Sequence, residues 1–297
     1  MKRITALLAV VVLLAGCSQY QTSPSGLKYR ISGSGNGPTL KHGQFVKFNI
    51  EYKVPPRDSM ITTSFGHIPA YMMVDSFRLE KHSFLEIIMQ CRVGDKVDFM
   101  MSVDTLKKMG GISKEDPQFK TGDMIMGRVE VLQTFATQDA AQADYLKEAD
   151  LEKSREVKEI GEYVAKKGYK VQNTPSGAMV LVENPGQGPK ADSALEVKMM
   201  YKGYLLKNGT EFDSNMKPGG QPLQVIIASQ SNGVIKGLDE ALRLFGKGGK
   251  GKVFIPAMIG YGPKGSPPLI PEYSNLGFDF EVLDIAPQAP AAPQEKN

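Results

Sequence analysis

Glycine and lysine residues in the stretch "GKGGKGKV", at 246–253, have a spacing that could hold a phosphate group. Gly246, four further residues, Gly251 and Lys252 follow the pattern of phosphate-binding loops in nucleotide hydrolases. Such a loop leads from a strand into a helix, whose first N–H groups bind the anion. Here Gly251 leads into the apolar run "KVFIP", and Val253 stands where a hydroxyl residue would bind magnesium. The pattern therefore predicts a turn into a strand and excludes a nucleotide site.

A second set of residues with chemical potential lies in four motifs of the second half of the chain. The motifs are "YKGYLLKNGTEFDSN" from 201, "VIKGLDEAL" from 234, "IPAMIGYG" from 255 and "PPLIPEYSNLGFDFEVL" from 267. In order and spacing they resemble the FKBP-type peptidyl-prolyl cis-trans isomerases. The resemblance covers roughly residues 180–286.

The resemblance implies catalysis of rotation about X-Pro amide bonds in proline-containing polypeptide clients. The barrier to this rotation is roughly 18–20 kcal/mol, because twisting destroys amide resonance. Catalysis needs an apolar slot for the proline ring, exclusion of water and hydrogen bonds suited to the twisted carbonyl. It needs no nucleophile and no metal, so we expect no cofactor.

The resemblance also implies a role for individual residues. Asp213 would bond near the substrate carbonyl, the Tyr261 hydroxyl would bind a substrate carbonyl, and the N–H of Ile235 would bind another. Leu238 forms the pocket floor where the best-known members carry Trp, and Leu223 stands where they often carry Phe. Both changes keep the pocket apolar but reshape it. The predicted substrate-binding residues are Tyr201, Phe212, Leu223, Val234, Leu238, Leu269, Ile270 and Phe278.

A non-catalytic function stays open beside the enzyme: a peptide-binding chaperone or scaffold lipoprotein that grips extended segments. Phe212 and Phe278 would then be ordinary core residues, and Asp213 a turn-forming residue. Retention of Asp213, Phe212 and Tyr261 favours the enzyme, whereas the reshaped floor at Leu238 leaves room for the binding protein.

An internal repeat determines the predicted domain organisation. "SPSGLKYRISGSGNGPTLKHGQFVKF" at 23–48 matches "TPSGAMVLVENPGQGPKADSALEVKM" at 174–199 with an offset of 151, and the same offset relates "VEVL" to "FEVL" near the ends of the two copies. The repeat predicts two copies of one domain, at 23–135 and 171–286.

The first copy lacks the site residues of the second. It has no Phe-Asp pair and no counterpart of Tyr261, and Gly127 aligns with Phe278. Phe84 aligns with Leu238 and so retains an aromatic floor without the walls. We expect an FKBP-like fold with a degenerate site, which serves protein binding, dimerisation or substrate capture, or is only a spacer.

The hydrophobic pattern within each copy predicts the elements that position these residues. Runs such as "LEVKMMYKGYL", "GKVFIP" and "GFDFEVLDI" alternate as strands do, and residues 234–245 have the spacing of one short helix. This predicts the α+β class: two FKBP-like domains, each an antiparallel curved β-sheet wrapped on a short helix.

Residues 137–170 between the copies are predicted to form a long helical linker. They are rich in Ala, Glu, Lys and Leu, contain no proline, and include the stop signal Gly168. The helix either packs lightly on one domain or acts as a rigid spacer or dimer seam, and a homodimer through residues 23–170 is compatible with it. The expected contact stripe is Leu146, Ala149, Lys153, Val157, Ile160 and Val164.

The N-terminus has the features of an export signal. Lys2 and Arg3 precede a short apolar run that ends in "LAGC", which resembles the lipobox of bacterial lipoproteins. This predicts a signal peptide at 1–16, lipidation of Cys17, a tether at 17–22 and attachment to the membrane of the cell envelope. Ser18 after the cysteine favours the periplasmic face of the outer membrane in a Gram-negative cell. The Pro/Ala-rich tail 287–297 is predicted to be disordered.

Charge and cysteine content exclude further classes. Without Lys2 and Arg3 the chain has 34 basic and 32 acidic residues, which provides no electrostatic case for binding nucleic acid. Cys91 is the one cysteine left besides Cys17, so no disulfide within the mature chain is expected.

Overall fold

The structure, a computed structural model, describes residues 19–33, 36–55, 59–229 and 233–287. The predicted signal peptide 1–16, the lipidation site Cys17 and the tail beyond residue 287 lie outside the described residues. In the described ranges, no helix combines the length and the apolar character needed to cross a bilayer.

The chain divides into two compact units. The first comprises the residues up to Phe65 together with Pro69–Gln142, and the second comprises Gly66–Ile68 together with the chain from Ala143 onwards. The domain boundaries inferred from the sequence repeat remain predictions. The first sheet begins at Gln21, inside the predicted tether 17–22.

The first unit contains a seven-stranded antiparallel sheet with the order β1-β2-β6-β7-β3-β4, in which β5 also pairs with β3. Cys91 follows a 3₁₀ helix at Phe84–Gln90 and is fully buried, which raises the pKa of its thiol to about 12. The elements are β1 (Gln21–Thr22), β2 (Lys28–Ser32), β3 (Phe45–Val54), β4 (Ser59–Thr63), β5 (Ala70–Met73), β6 (Lys96–Ser102), α1 (Val103–Met109) and β7 (Met124–Phe135).

The second unit repeats this topology. Its sheet has the order β8-β9-β13-β14-β10-β11, and β12 pairs with β10 as β5 pairs with β3. The α+β class with two antiparallel sheets is therefore confirmed. The elements are α2 (Gln138–Lys167), β8 (Gln172–Asn173), β9 (Met179–Asn184), β10 (Leu195–Leu205), β11 (Glu211–Ser214), β12 (Leu223–Ile226), α3 (Lys236–Leu242), β13 (Lys250–Ile255), 3₁₀ helices at Ala257–Ile259 and Gly262–Lys264, and β14 (Leu276–Pro287).

Helix α3 is shorter than the predicted helix at 234–245. Ile235 has an extended backbone (φ −54°, ψ 145°), so the helix begins only at Lys236. At the other end the N–H groups of Leu244 and Phe245 donate to the carbonyls three residues earlier, which tightens the chain into turns. Its inward face consists of Leu238, Ala241, Leu242 and Phe245, which are all buried.

The two faces of the second sheet are covered by different helices. Val253 and Ile255 on β13 point into the main core with α3, whereas Phe254 between them points to the opposite face. There it packs against Ile160 and Val164 of α2 in a smaller cluster. Helix α2 is thus packed on the second unit along its C-terminal half.

The buried stripe of α2 differs from the predicted one. Leu146 is 55% exposed, whereas Glu152 and Glu156 are almost fully buried. The buried positions 152, 156, 160 and 164 follow one another at every fourth residue. Ile160 and Val164 belong to the predicted stripe and are buried, whereas apolar periodicity missed Glu152 and Glu156 because both are carboxylates. A carboxylate is buried only where the surrounding structure provides hydrogen-bond donors.

The Pro-Ser-Gly turn that marks the repeat is held in the same way in both units. The N–H of Ser176 and its hydroxyl donate to Oε2 of Glu240 at 3.0 and 2.6 Å. In the first unit the N–H and hydroxyl of Ser25 donate to the Glu86 carboxylate. The glutamate on the short helix of each unit therefore ties that helix to the turn before the second strand.

Candidate active site

Three neighbouring strands bring together the aromatic residues of the predicted pocket wall. Gly203 on β10 pairs with Phe278 on β14 and with Asp213 on β11, so residues of two of the motifs meet across three strands of the sheet. The Phe212 and Phe278 rings are in T-shaped contact with centroids 5.6 Å apart, and the Tyr201 ring lies 6.2 Å from that of Phe278. These spacings are typical of favourable aromatic pairs.

Gly203 is a site residue that the sequence analysis missed. A side chain at this position would place its Cβ 2.7 Å from Cε2 of Phe212 and 2.8 Å from Cε1 of Phe278. Only glycine lets both rings lie against the strand. The sequence feature that could have indicated this role is the glycine in "YKGY", which has a tyrosine on either side.

The floor and sides of the pocket are apolar. Leu238, Ile270 and Phe278 are buried in the main core of the second unit. Tyr201, Phe212, Leu223, Val234 and Ile235 are partly buried and pack against that core. The structure does not bring Leu269 into this cluster, because its side chain is 61% exposed.

A carboxylate and two phenols stand at the rim of the apolar cluster. The Tyr201 hydroxyl donates to Oδ2 of Asp213, and the Asp213 side chain is otherwise exposed. Burial raises the pKa of Tyr201, and the negative Asp213 raises it further. The same two causes raise the pKa of Tyr261, whose side chain is 40% exposed. Both phenols therefore keep their protons at neutral pH and act as hydrogen-bond donors.

Asn215 holds the strand that carries Asp213 and also escaped the sequence analysis. Its Oδ1 accepts the Tyr201 N–H at 2.6 Å, and its Nδ2 donates to the carbonyls of Met199 and Gln221 at 3.1 and 3.0 Å. An amide with this bonding pattern fixes the spacing between β10 and the segment after β11.

Ile235 lies at the start of α3 and packs against the same cluster. Its carbonyl accepts from the N–H groups of Leu238 and Asp239, while its own N–H takes part in no hydrogen bond within the described chain. An N–H before the first turn of a helix has no helical partner, so it is free to bind another group.

The corresponding place in the first unit is filled by an aromatic ring from a neighbouring strand. Gly127 pairs with Phe99 where Phe278 pairs with Val253, so the aromatic residue of this pair lies on β6 in the first unit and on β14 in the second. A Cβ on Gly127 would lie 2.1 Å from Cζ of the Phe99 ring, which is fully buried.

The polar rim is missing there as well. Tyr52 and Thr62 pair where the second unit has Gly203 and Asp213. The Tyr52 and Phe84 rings contact Phe99 at centroid distances of 5.9 and 6.2 Å. The first unit thus has a packed aromatic cluster where the second has its candidate pocket.

Among the described residues, no group of three or more His, Cys, Asp or Glu side chains is placed to hold a metal ion.

Comparison with known proteins supports the assignment of the second unit. Residues 188–283 match the family described as FKBP-type peptidyl-prolyl cis-trans isomerase. A Haemophilus influenzae protein named "Probable FKBP-type peptidyl-prolyl cis-trans isomerase" is 42% identical over 123 residues, 41% of this chain and 48% of that protein. The Escherichia coli protein named FkpA is 38% identical over 170 residues, 56% of this chain and 59% of that protein. The chain therefore spans about half the length of these two relatives.

A shorter relative is covered almost completely. The protein of Neisseria meningitidis named "FK506-binding protein" is 36% identical over 110 residues, which are 37% of this chain and 97% of that protein. The chain belongs to the FKBP-type peptidyl-prolyl cis-trans isomerase family.

Proposed function

We propose that the chain is a peptidyl-prolyl cis-trans isomerase whose active site is the pocket of the second unit. The observation that carries the proposal is the apolar cluster of Tyr201, Phe212 and Phe278 above Leu238, with Asp213 and Tyr261 at its rim. A small apolar slot with a few polar groups is the arrangement that binding of a proline ring requires.

In this proposal the pocket catalyses rotation by favouring the twisted amide. A planar amide has the charge separation that water stabilises, and twisting removes it, so an apolar slot favours the twisted form over the planar one. The Ile235 N–H and the Tyr261 hydroxyl bind the carbonyls on either side of the bond, and Asp213 acts near the rotating carbonyl. Leu223, Val234 and Ile270 complete the slot, and the exposed Leu269 covers the bound peptide.

The clients in this proposal are exported proteins of the cell envelope. A lipid on Cys17 would anchor the chain, on the periplasmic face of the outer membrane in a Gram-negative cell, and the N-terminal motif alone supports this. The filled pocket of the first unit supports an accessory role in protein contact. The exposed leucines Leu146 and Leu151 on α2 support a homodimer that includes this helix.

A non-catalytic peptide-binding chaperone is the second candidate. The aliphatic floor at Leu238 favours it, because a pocket without a large aromatic floor holds the proline ring less closely. The two candidates predict different turnover of the same peptides.

Isomerisation of Xaa-Pro tetrapeptides by the full-length chain tests the proposal. The double variant Tyr261→Phe, Asp213→Ala should lower kcat/KM about thirtyfold, since it removes two hydrogen-bonding groups worth about 1 kcal/mol each. The matched control is Tyr20→Phe, Asp192→Ala, which changes an exposed tyrosine and an exposed aspartate elsewhere. Wild-type turnover in the first double variant would reject the catalytic assignment, and peptide binding without any turnover by the wild type would favour the chaperone.

A further inference from the structure

We propose that Glu156 of helix α2 is a positioning residue for the active site, because it holds the turn that presents Tyr261. This inference rests on the proposed isomerase function. Glu156 lies outside the residues 188–283 that match the family and belongs to the helix that precedes them.

The contact between Glu156 and the turn is direct. The backbone N–H of Met258 donates to Oε2 of Glu156 at 2.9 Å. The Glu156 side chain is 3% exposed, and its Oε1 accepts no hydrogen bond within the described part of the chain. A buried carboxylate is costly, so its place on a face that otherwise buries Ile160 and Val164 calls for a specific partner, and the Met258 N–H is that partner.

A second carboxylate of α2, that of Glu159, is linked through Asn275 to the N–H of Ala257, the residue before Met258. Oε2 of Glu159 accepts from Nδ2 of Asn275 at 3.1 Å, and Oδ1 of Asn275 accepts from the N–H of Ala257 at 3.1 Å. Two consecutive N–H groups of the turn are thus bound from α2, one directly and one through Asn275.

These two N–H groups are the ones that the turn cannot satisfy itself. In the 3₁₀ helix Ala257–Ile259 the N–H groups of Ile259 and Gly260 donate to the carbonyls of Pro256 and Ala257. The first N–H groups of any helix have no internal acceptor. Glu156 of α2 provides the acceptor for Met258, and Asn275, which is bound to Glu159 of α2, provides the acceptor for Ala257. Tyr261 follows two residues after Ile259, the last residue of this 3₁₀ helix.

The helix is itself fixed on the strand that leads into the turn. Phe254 of β13 packs against Ile160 and Val164, with ring contacts to Tyr163 and Tyr169 at centroid distances of 5.5 and 5.8 Å. The acceptor on Glu156 is therefore held in place by apolar packing one turn further along α2. A small displacement of a group that binds the transition state lowers the rate strongly, so this anchoring sets the position of the Tyr261 hydroxyl.

The experiment compares Glu156→Leu, which removes the acceptor but stays apolar, with Glu156→Gln, which keeps an acceptor oxygen. In the full-length chain, Glu156→Leu should lower kcat/KM about tenfold, mainly through kcat, because one hydrogen bond to the turn is lost. Glu156→Gln should retain wild-type turnover. Glu162→Leu, at an exposed position of the same helix, is the matched control. Amide hydrogen exchange at Met258 should become faster in Glu156→Leu and stay slow in Glu156→Gln.

A double-mutant cycle separates positioning from a merely structural role. If Glu156 acts through Tyr261, Glu156→Leu should have little effect in a Tyr261→Phe background. A full tenfold loss in that background, or wild-type turnover in Glu156→Leu, would overturn the proposal. Should Glu156→Leu not fold, Glu156→Asp, whose shorter side chain cannot reach Met258, takes its place. If the proposed isomerase function is wrong, the wild type itself will not catalyse isomerisation. If only the positioning role is wrong, the wild type will be active and the variants will show the discrepancy.

Discussion

From the burial of the Glu156 carboxylate we expect the stability of the second unit to depend on pH. Burial raises the pKa of Glu156 to about 7; its bond from the Met258 N–H and the nearby Arg155 oppose the rise, and the neighbouring Glu159 adds to it. The folded chain therefore binds a proton between the ordinary pKa of a glutamate and about pH 7, where the unfolded chain has released it. A raised folded pKa means that the stabilisation is complete at low pH and is lost as the pH rises through 7.

At the residue scale we predict that Glu156→Gln changes the pH profile of stability. The wild type should lose on the order of 2 kcal/mol of unfolding free energy between pH 5 and 8 from this group, and the variant should not. Chemical denaturation across this range measures the difference, with the exposed Glu162→Gln as control. Parallel profiles for wild type and Glu156→Gln would show that Glu156 ionises normally in the folded state.

At the scale of elements, the short helix of each unit is tied to the turn before the second strand. Burial alone would raise the pKa of Glu240, but hydrogen bonds from Ser176 and Thr174 outweigh it and lower the pKa. The same balance, with Ser25 and the His82 N–H as donors, lowers the pKa of Glu86. Two copies that differ in most residues thus keep one tie between helix and turn, which indicates that the tie serves the fold and not the site.

We therefore predict that Glu240→Gln destabilises the second unit at neutral pH by about 1.5–3 kcal/mol, the value of a hydrogen bond to a charged group. A lowered folded pKa means that this stabilisation is present above the ordinary pKa of a glutamate and is lost as the pH falls through the lower folded value. Denaturation of wild type and variant at pH 7 and pH 3 checks this. A difference that is as large at pH 3 as at pH 7 would contradict the role of the charge.

At the scale of the whole molecule, one topology carries two different interiors. In the second unit Phe278 pairs with Val253 and its ring forms part of the candidate pocket, whereas in the first unit the Phe99 ring occupies the space beside Gly127. The first unit gains a tightly packed aromatic cluster and loses the slot. If the proposed function is correct, the difference in role between the units follows from which strand carries the aromatic ring.

Removal of that ring should affect stability without affecting turnover. We predict that Phe99→Ala destabilises the first unit by about 3–5 kcal/mol, as large-to-small changes of buried aromatics do. Isomerisation by the full-length chain at temperatures below unfolding should stay at the wild-type rate. Phe77→Ala is the matched control, because this phenylalanine is 85% exposed. Loss of turnover in folded Phe99→Ala would mean that the first unit takes part in catalysis.

The sequence by itself determined the features that depend on local pattern and on constant spacing. Strand alternation and the offset of 151 between the copies predicted the α+β class, and the structure bears this out in two sheets of equal topology. The motifs also pointed to Tyr201, Phe212, Leu238 and Phe278, which the structure brings to one apolar cluster. The sequence also showed that the first copy lacks these site residues, because it has no Phe-Asp pair and Gly127 aligns with Phe278.

Only the tertiary structure decided what depends on neighbours distant along the chain. The filling of the first site requires Phe99 opposite Gly127, which is a matter of strand register, and no local pattern reports register between separate strands. The burial of Glu156 is not expected from its polarity. The hydrogen bond that the Met258 N–H donates to its carboxylate explains this burial. Hydrophobic periodicity describes which residues leave water, whereas hydrogen bonds between distant backbone and side-chain groups are settled only when the packed elements bring them together.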